Sequence, residues 1–571
     1  MTSPDRSLAF DRVLGGALIF AALAAATFVR DAYLQRLLAV AGCYAILAIG
    51  YQRIFGELGV LSLAQGAFFA VGGYAAAILS LRTGWDGVLL LGAAIVAAVL
   101  LAVLAAPAML KLASHYFALA SLALAQLVLL ATINFESFTG GSNGLSPLPP
   151  FAMVGVELSP GTPMTLAIWS AAAATAILFW QPGPLAALRR LVLREAPLAA
   201  QAMGIDAARW RLAAFAFAAG CGGLAGGFYV HGTGVAAPDI ADFGIAVNAL
   251  AITVIGGRGR VGGAVLGAVL LAFLPEALRF LGGWQLFAWG GAMLAMLILA
   301  PDGLAGLLQR SFTNSPGIPD RTPVNSRIAL GQAGTLSGTR LRKNFGGVTA
   351  VDDISMDVRP GEIVGLIGGN GAGKTTLLNL LTGFETPDTG SIVWRGGDVT
   401  TLDTSRRARL GIGRSFQIDQ LPGTLTALDA VAAAVWQTGS LPAARVAAST
   451  LLQQMGLGER CAEPLDTLPP ATRRLVDIAR ALAASPGVLL LDEPTAGLSA
   501  TERDGLGRTL ATLREQGLGM AIVEHDLAFL LPLVDRLVCL RDGRIVAEGT
   551  PDDLASRPDL RDFFAGYRGT P

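Results

Sequence analysis

The first 300 residues of this chain contain a series of long apolar runs, which constrain its fold more than any other feature. A helix needs roughly 17–25 consecutive apolar residues to cross the hydrocarbon core of a bilayer. Suitable runs occur near positions 13–29, 34–51, 58–81, 88–110, 116–134, 164–180, 211–230, 240–257, 261–281 and 284–300. They predict an all-α polytopic membrane domain of about ten transmembrane helices. Several glycines interrupt the third run, so we expect it to be partly re-entrant.

Charged residues are distributed unevenly along the chain. Among the 571 residues, 84 are Lys, Arg, Asp or Glu, and only 29 of these lie in the first 310 positions. The chain is also too long for one ordinary domain. We therefore interpret 1–309 as a membrane domain, 310–337 as a linker rich in Pro, Ser and Gly, and 338–571 as a soluble domain. The net charge of zero argues against a nucleic-acid partner.

Basic residues in the short loops predict how the membrane domain is oriented. The longest basic loop contains Arg189, Arg190 and Arg194, whereas the loop 135–163 contains no Lys or Arg. We therefore place the basic loop and both ends of the domain in the cytoplasm, and 135–163 outside.

The basic loop continues into an Ala-rich segment that we interpret as a docking element. The segment begins at Glu195, breaks at Gly204 and re-enters the apolar sequence after Asp206. A short exposed helix that ends in glycine suits a docking element for a soluble motor. An ordinary surface loop is the alternative.

Strongly polar side chains at membrane depth are the best indicators of a solute path. The candidates are Gln65, Gln126, Asn134, Asn248 and Glu276. A hydrogen bond between helices, or an interfacial position, explains each of them more simply than contact with a solute.

The soluble domain contains a glycine-rich motif that is typical of phosphate binding. The stretch GEIVGLIGGNGAGKTTLLNLLTG reads as strand, glycine loop and helix, and it matches GxxxxGK[ST]. Backbone N–H groups of such a loop surround phosphates at a helix N-terminus, where the helix dipole favours anions. We expect Lys374 to reach the β- and γ-phosphates and Thr375 to hold Mg²⁺. The predicted nucleotide-binding residues of this motif are Gly368, Asn370, Gly371, Gly373, Lys374, Thr375 and Thr376.

Three further motifs place polar side chains at strand ends. VLLLDEPTAGLS ends a buried strand at Asp492, which we expect beside Mg²⁺. Glu493 follows it and suits a general base that activates or orients water. His525 follows another buried strand, where a contact with the γ-phosphate is the prediction and a structural role the alternative. Gln417 follows a short apolar strand and is expected to link Mg²⁺ and the attacking water to the membrane domain.

Together these motifs resemble the ATP-binding cassette of ABC transporters, an α/β P-loop domain, over the whole of 336–571. The resemblance implies that Phe345 stacks on adenine, that Gln417 is the Q-loop glutamine and that His525 is the switch histidine. More narrowly, KNFGGVTAVDDIS, ARLGIGRSFQ and VEHDL look like the ATPase subunits of branched-chain amino acid uptake systems.

The membrane domain points to the same systems. LGVLSLAQGAFFAVGGYAAAIL, FTGGSNGL and VIGGRGRVGGAVLGA are similar to their permease, and this likeness covers most of 33–300. The chain therefore resembles a permease joined to its ATPase, and the likeness strengthens the docking interpretation of Glu195, Gly204 and Asp206. Such importers use two permease domains, two cassettes and a periplasmic solute-binding protein, in the bacterial inner membrane.

One motif departs from the family pattern. The family signature, LSGGQ, aligns with Leu468 and the following Pro469, Pro470, Ala471 and Thr472. In a cassette dimer the family uses the signature serine hydroxyl and glycine N–H groups to hold the ATP of the opposite cassette. Proline has no N–H, and Pro469 has no hydroxyl either, so only Thr472 can substitute in part. The altered signature therefore favours a heteromer with a second cassette whose signature is intact.

The resulting prediction is an ATP-driven importer component for a small polar solute, with branched-chain or hydrophobic amino acids as the first choice. Urea, amides and small carboxylates are alternatives, because members of the family also carry them. A cassette that binds nucleotide as a structural or regulatory clamp, with hydrolysis at a partner's site, is a hypothesis of another class. Export is disfavoured, because the permease segments resemble importers.

Overall fold

The computed structural model describes residues 4–112, 114–310, 328–416, 420–560 and 563–564. They form two compact units. The membrane unit contains residues up to Arg194 and those from Ala208 to the end of the apolar half, whereas the cassette unit joins Glu195–Ala207 to the soluble half. Most of the predicted linker, 311–327, lies outside the described residues, as does Gln417.

The apolar half is helical throughout, apart from one short hairpin. Its two strands are β1 (Ala152–Met153) and β2 (Val156–Glu157). Its helices are α1 (Pro4–Phe28), α2 (Ala32–Tyr51), α3 (Gln65–Thr83), α4 (Gly87–Met109), α5 (Ser114–Asn134), α6 (Glu136–Thr139), α7 (Thr162–Trp180), α8 (Gly183–Glu195), α9 (Pro197–Ala202), α10 (Ala207–Thr233), α11 (Phe243–Gly256), α12 (Val261–Ala277), α13 (Gln285–Leu299) and α14 (Gly303–Arg310).

Fewer helices are long enough to cross a membrane than the apolar runs predict. Within the described ranges, 7 helices pass by length and composition, or up to 8 if the pair α11 and α12 counts as one span. The all-α polytopic class is thus confirmed, but the count of about ten is too high. The predicted eighth and ninth spans are the two arms of one bent pair. The predicted tenth contains only a shorter apolar helix, Phe287–Met296.

The bend between α11 and α12 explains part of that difference. The two helices meet at 120°, and α11 has 14 residues, about 21 Å at 1.5 Å per residue, too short for a ~30 Å core. The side chain of Gln52 closes the bend: its Nε2 donates to Gly257 O at 2.8 Å, and its Oε1 accepts from Gly259 N at 2.6 Å. Gln52 opens a π-helix, Gln52–Glu57, that follows α2 directly.

Small residues let the membrane helices approach closely. A Cβ placed on Gly226 of α10 would lie 1.9 Å from the carbonyl oxygen of Phe69 on α3. Such contact requires glycine, and it is how helices pack where lipid removes the hydrophobic drive between them. The glycine-rich sequence GCGGLAGGFY is thus explained by helix packing.

The soluble half alternates strands with helices. Its strands are β3 (Leu336–Phe345), β4 (Val348–Val358), β5 (Ile363–Gly368), β6 (Thr389–Trp394), β7 (Gly397–Asp398), β8 (Ile412–Arg414), β9 (Val488–Asp492), β10 (Gly519–Val523), β11 (Arg536–Arg541) and β12 (Arg544–Gly549). Its helices are α15 (Lys374–Thr382), α16 (Thr404–Arg409), α17 (Ala427–Ala432), α18 (Leu441–Gln454), α19 (Pro470–Ala483), α20 (Ala500–Glu515), α21 (Leu527–Leu530) and α22 (Pro551–Ala555).

Two sheets organise the soluble half. A six-stranded sheet has the order β12-β11-β5-β10-β9-β8 and is parallel except for the edge strand β12, and a four-stranded antiparallel sheet has the order β4-β3-β6-β7. Helix α15 packs in the hydrophobic core that both sheets share. In the larger sheet, Val523 of β10 pairs with Leu366 of β5 and with Asp492 of β9. The three strands therefore end at one edge, the usual ligand edge of a parallel sheet.

Candidate active site

The glycine loop lies at this edge, between β5 and α15. Gly371 and Gly373 have φ of 80° and 96°, which side chains disfavour. At Gly373 a Cβ would also lie 2.2 Å from the carbonyl oxygen of Ala350. The loop turns only with these glycines, and Asn370 at its crest is exposed. At Gly369, by contrast, an added Cβ would meet nothing within 4 Å.

Lys374 begins α15 and bends back over the loop. Its Nζ donates to the carbonyl oxygens of Gly368 and Gly369, at 2.8 Å and 2.9 Å. Burial lowers the pKa of this ammonium group, while the carboxylates of Glu493 and Asp492 act in the opposite direction. The ammonium group is therefore held by neutral acceptors at the mouth of the loop, where an anion would be a better partner.

Thr375 and Thr376 follow Lys374 in the first turn of the helix. Thr375 is exposed and Thr376 is half-buried. Helix N-termini with exposed hydroxyl groups suit phosphate and metal ligands, which is the role that the sequence predicts for Thr375.

Asp492 lies at the end of β9 and is almost completely buried. One carboxylate oxygen is 3.6 Å from the Arg414 guanidinium, and the other, Oδ1, has no hydrogen-bond partner among the described residues. Burial raises the pKa of this carboxyl, and the Arg414 charge opposes that rise. A buried carboxylate oxygen without a partner is what a cation site needs.

Glu493 and His525 come together at the same edge. His525 Nε2 lies 3.2 Å from Glu493 Oε1. Glu493 adopts a positive φ of 47°, a conformation that is uncommon for non-glycine residues. Its N–H donates to the carbonyl oxygen of Val523 at 2.8 Å, which fixes the turn. The structure thus unites two of the three residues predicted to be catalytic, and the third, Gln417, lies outside the described residues.

Glu524, which the sequence analysis missed as a site residue, holds the two catalytic loops together. Its Oε1 accepts from the backbone N–H groups of His525 and Asp526, at 2.8 Å and 3.2 Å. Its Oε2 accepts from the N–H and the hydroxyl of Thr495, at 3.2 Å and 2.8 Å. The carboxylate is buried. Its position in the sequence, between a buried strand and His525, is the feature from which a role in the site could have been predicted.

Arg474 links α19 to the same turn. Its guanidinium donates to the carbonyl oxygens of Asp492 and Glu493, and burial lowers its pKa. The neighbouring Asp477 accepts from the N–H of Phe416 at 2.9 Å and from Arg480 at 2.8 Å. The helix that follows the altered signature therefore still positions the catalytic turn and the residue that precedes Gln417.

The altered signature forms the start of α19. Pro469 caps the helix without a side-chain hydrogen bond, and Pro470 occupies the first helical position, where proline is favoured. Ala471 and Thr472 are buried, and the Thr472 hydroxyl accepts from Arg460 at 3.1 Å. The prolines start the helix well but present neither hydroxyl nor N–H. The hydroxyl that was expected to substitute already has a partner within its own chain.

Phe345 ends β3 on the surface of the soluble half. Its side chain is 46% exposed, and the ammonium group of Lys343 lies 5.4 Å from the ring centroid. An exposed ring with a cation beside it is available for stacking on a base, as the resemblance implies.

The predicted docking segment packs on the cassette and belongs to its unit. Helix α9 ends in a Schellman motif, because Gly204 N donates to Gln201 O and Ile205 N to Ala200 O, both at 2.9 Å. Gly204 has φ of 82° and supplies the left-handed residue that this motif needs. Met203 and Ile205 beside it are buried.

Three cassette side chains hold this segment. Arg409 Nε donates to Gly204 O at 2.6 Å, and Trp436 Nε1 donates to Met203 O at 2.5 Å. The guanidinium of Arg409 lies 4.8 Å from the Trp436 ring centroid. At the other end, the Thr424 hydroxyl donates to Glu195 Oε2 at 2.9 Å. Asp206 is largely buried at the end of the segment.

Two family models match this chain. Residues 33–301 match one described as branched-chain amino acid transport system / permease component, and residues 351–496 match one described as ABC transporter. Both matches agree with the resemblances in the sequence.

Curated proteins similar to the chain match its soluble half. A probable ABC transporter ATP-binding protein of Azorhizobium caulinodans is 37% identical over 234 residues, which are 41% of this chain and 83% of that protein. The high-affinity branched-chain amino acid transport ATP-binding protein LivG of Escherichia coli is 34% identical over 248 residues, 40% of this chain and 97% of that protein. Among solved structures, a nucleotide-free ATP-binding cassette from an ABC transporter has 26% identity and a TM-score of 0.37, covering 40% of this chain and 98% of its own.

Proposed function

Because the chain belongs to the ABC transporters and joins a branched-chain-type permease to its ATPase, we propose that it imports branched-chain or other hydrophobic amino acids. It is a multi-pass membrane protein, and its cassette hydrolyses ATP to drive transport. We further propose that the transporter lies in the bacterial inner membrane and moves its solute inward. The permease match and the similarity to LivG support the proposed location, direction and solute.

The observation that carries the hydrolytic part is the contact between Glu493 and His525 at the glycine-loop edge. In the proposed mechanism, the backbone N–H groups of the loop and the ammonium group of Lys374 bind the phosphates of ATP. Glu493 accepts a hydrogen bond from the attacking water and orients it. His525, fixed by Glu524, orients that carboxylate and contacts the γ-phosphate. Phe345 stacks on the adenine.

The donor set at this edge fits Mg²⁺. Asp492 Oδ1 is buried without a partner among the described residues, and the Thr375 hydroxyl is exposed on the first turn of α15. Hydroxyl and carboxylate oxygens are the ligands that this hard cation prefers. We assign Asp492, Thr375 and Gln417 to its binding, and Mg²⁺ when bound neutralises charge on the β- and γ-phosphates.

The proposed assembly contains a second, different cassette. An intact signature on the partner would close over the ATP held by Lys374 and Glu493 and complete that site. Pro469 and Pro470 offer no hydrogen-bond donor to the partner's own ATP. A second permease subunit and a periplasmic solute-binding protein complete the proposed importer.

We assign Glu195–Ala207 as the coupling segment between permease and cassette. The segment continues directly from the membrane helices, and Arg409 and Trp436 hold its turn by backbone hydrogen bonds. Movement of the cassette is therefore transmitted to the permease through Gly204 and its neighbours.

The altered signature favours one other candidate function, a cassette that binds ATP as a clamp while hydrolysis occurs at the partner's site. Import of urea, amides or small carboxylates is the alternative for the solute. A complete Glu493–His525 pair argues for hydrolysis by this chain.

The test compares wild-type, Glu493→Gln and Glu515→Gln transporters, purified with their partner subunits and reconstituted in proteoliposomes. Glu515 is an exposed carboxylate at the end of α20 and serves as the matched control. We expect Glu493→Gln to bind ATP but to lose hydrolysis and leucine uptake, and Glu515→Gln to retain both. Undiminished uptake by Glu493→Gln would favour the clamp. Uptake of urea or acetate but not of leucine would replace the proposed solute.

A further inference from the structure

A cluster of polar side chains lies in the interior of the membrane unit, away from the bend. Tyr44 precedes Gln52 by eight residues on α2, and Asn248 precedes Gly257 by nine on α11. Because Gln52 and Gly257 are hydrogen-bonded, Tyr44 and Asn248 lie about 12 Å and about 13.5 Å along their helices from the bend, at 1.5 Å per residue.

Direct contacts join the cluster. Asn248 Nδ2 lies 3.4 Å from the Tyr44 hydroxyl and donates to it. Tyr229 of α10 lies near Tyr44, and its ring packs edge-on to Phe69 at 5.3 Å between centroids. Both Tyr44 and Tyr229 remain partly accessible. Helices α2, α10 and α11 thus bring phenol and amide groups together inside the membrane unit.

A carboxylate lies near these groups. Asp239, on the short 3₁₀ helix Pro238–Ala241 that precedes α11, interacts electrostatically with the phenols of Tyr44, Tyr74 and Tyr229. Asp239 itself is exposed, and the buried Tyr74 hydroxyl has no hydrogen-bond partner among the described residues. A buried hydroxyl without a partner is costly, and a ligand that bonds to it removes that cost.

From this arrangement we propose that Tyr44, Tyr74, Tyr229, Asn248 and Asp239 form the solute-binding site of the permease, for a zwitterionic α-amino acid. Asp239 accepts hydrogen bonds from the ammonium group of the solute. The phenols and the Asn248 amide donate to its carboxylate, and the rings of Tyr44 and Tyr229 contact an apolar side chain. A simple carboxylate anion would be repelled by Asp239, whereas urea would offer the donors a neutral carbonyl oxygen in place of a carboxylate.

This inference rests on the proposed import of amino acids and specifies where that solute binds. It predicts that the charge of Asp239 matters for an amino acid and not for a neutral amide. Asp239→Asn should therefore raise KM for leucine at least tenfold. Asp239→Glu should restore most of the affinity, because it keeps the charge. Asn248→Ala should raise KM for leucine, because it removes an amide that donates a hydrogen bond to the carboxylate of the solute.

The experiment measures concentration-dependent uptake of radiolabelled leucine in liposomes of phosphatidylethanolamine and phosphatidylglycerol, with the transporter and its co-purified subunits. Urea uptake and ATPase activity are recorded in the same vesicles. Glu157→Gln, which removes an exposed carboxylate on β2, is the control and should behave as wild type. Wild-type leucine uptake with unchanged KM in Asp239→Asn and Asn248→Ala would overturn the site and leave the proposed function standing. Absence of leucine uptake in the wild type would overturn the proposed function itself, and the site with it.

Discussion

Replacing Gly204 with alanine should release the coupling segment from the cassette without affecting the ATP site. The φ of 82° is left-handed, and a Cβ disfavours that conformation by about 1–2 kcal/mol. The new Cβ would also lie 2.9 Å from Cγ of Arg409. That side chain must then shift and weaken its hydrogen bond to Gly204 O, which, as a bond to a charged group, contributes roughly 1.5–3 kcal/mol.

The two effects together destabilise the docked segment by about 3 kcal/mol, which corresponds to more than a hundredfold change in the docking equilibrium, since each 1.4 kcal/mol is tenfold. Amide hydrogen exchange of the full-length chain in lipid nanodiscs measures this directly. Under conditions where opening is at equilibrium, the exchange rate follows the population of the open form. Peptides that cover 197–206 should exchange about 100-fold faster in Gly204→Ala.

The chain offers a closely matched control. Gly456 ends α18 in the same Schellman motif, because its N–H donates to Gln453 O and Leu457 N donates to Leu452 O. Its φ is 75°, and a Cβ there would meet nothing within 4 Å. Gly456→Ala therefore carries the backbone strain without the contact, and should leave exchange across 197–206 unchanged. Equal exchange there in both variants would refute the reasoning, as would normal uptake by Gly204→Ala once its segment exchanges freely.

Three further outcomes can be measured on the same transporter. Glu524→Gln should lower the rate of ATP hydrolysis at least tenfold and destabilise the soluble half by roughly 2 kcal/mol, since a buried charged acceptor of four hydrogen bonds becomes neutral. Thermal unfolding and ATPase assays check both effects, and an unchanged rate would rule out its positioning role. Restoring serine and glycines at Pro469, Pro470 and Ala471 should raise ATPase activity of the purified chain without a partner cassette, and no increase would mean that the signature is not what limits it. Asp492→Asn should raise the Mg²⁺ concentration needed for half-maximal hydrolysis at least tenfold, and an unchanged requirement would remove Asp492 from the proposed metal ligands.

The catalytic edge was predictable from sequence because each part of it is local. The glycine loop, the strand that ends at Asp492 and the strand before His525 are contiguous motifs, and parallel pairing of buried strands brings their ends together. Glu524 was visible in the sequence but its role was not. Its four hydrogen bonds depend on the spacing between two loops that are far apart along the chain.

The membrane unit was predicted less well, because run length alone does not distinguish a straight helix from two half-helices. The apolar residues before and after Gly257 read as two spans, whereas the turn between them is bridged by Gln52, about 200 positions earlier. The docking contacts are equally remote, since Arg409 and Trp436 lie 205 and 233 positions from their partners. The sequence of a segment alone therefore cannot predict contacts with residues so far away along the chain.

The amide of Gln52 has a consequence for how the membrane unit deforms. Its N–H group donates to the carbonyl oxygen of Gly257, and its oxygen accepts from the N–H of Gly259. A single side chain thus bridges the turn between α11 and α12 with two hydrogen bonds. Loss of the Gln52 side chain should therefore loosen the turn, while Asp11 still accepts from the N–H groups of Val261 and Gly262 at the start of α12. Replacing Gln52 with glutamate would keep the acceptor for the Gly259 N–H but remove the donor to the Gly257 carbonyl oxygen. Only one of the two hydrogen bonds would then remain.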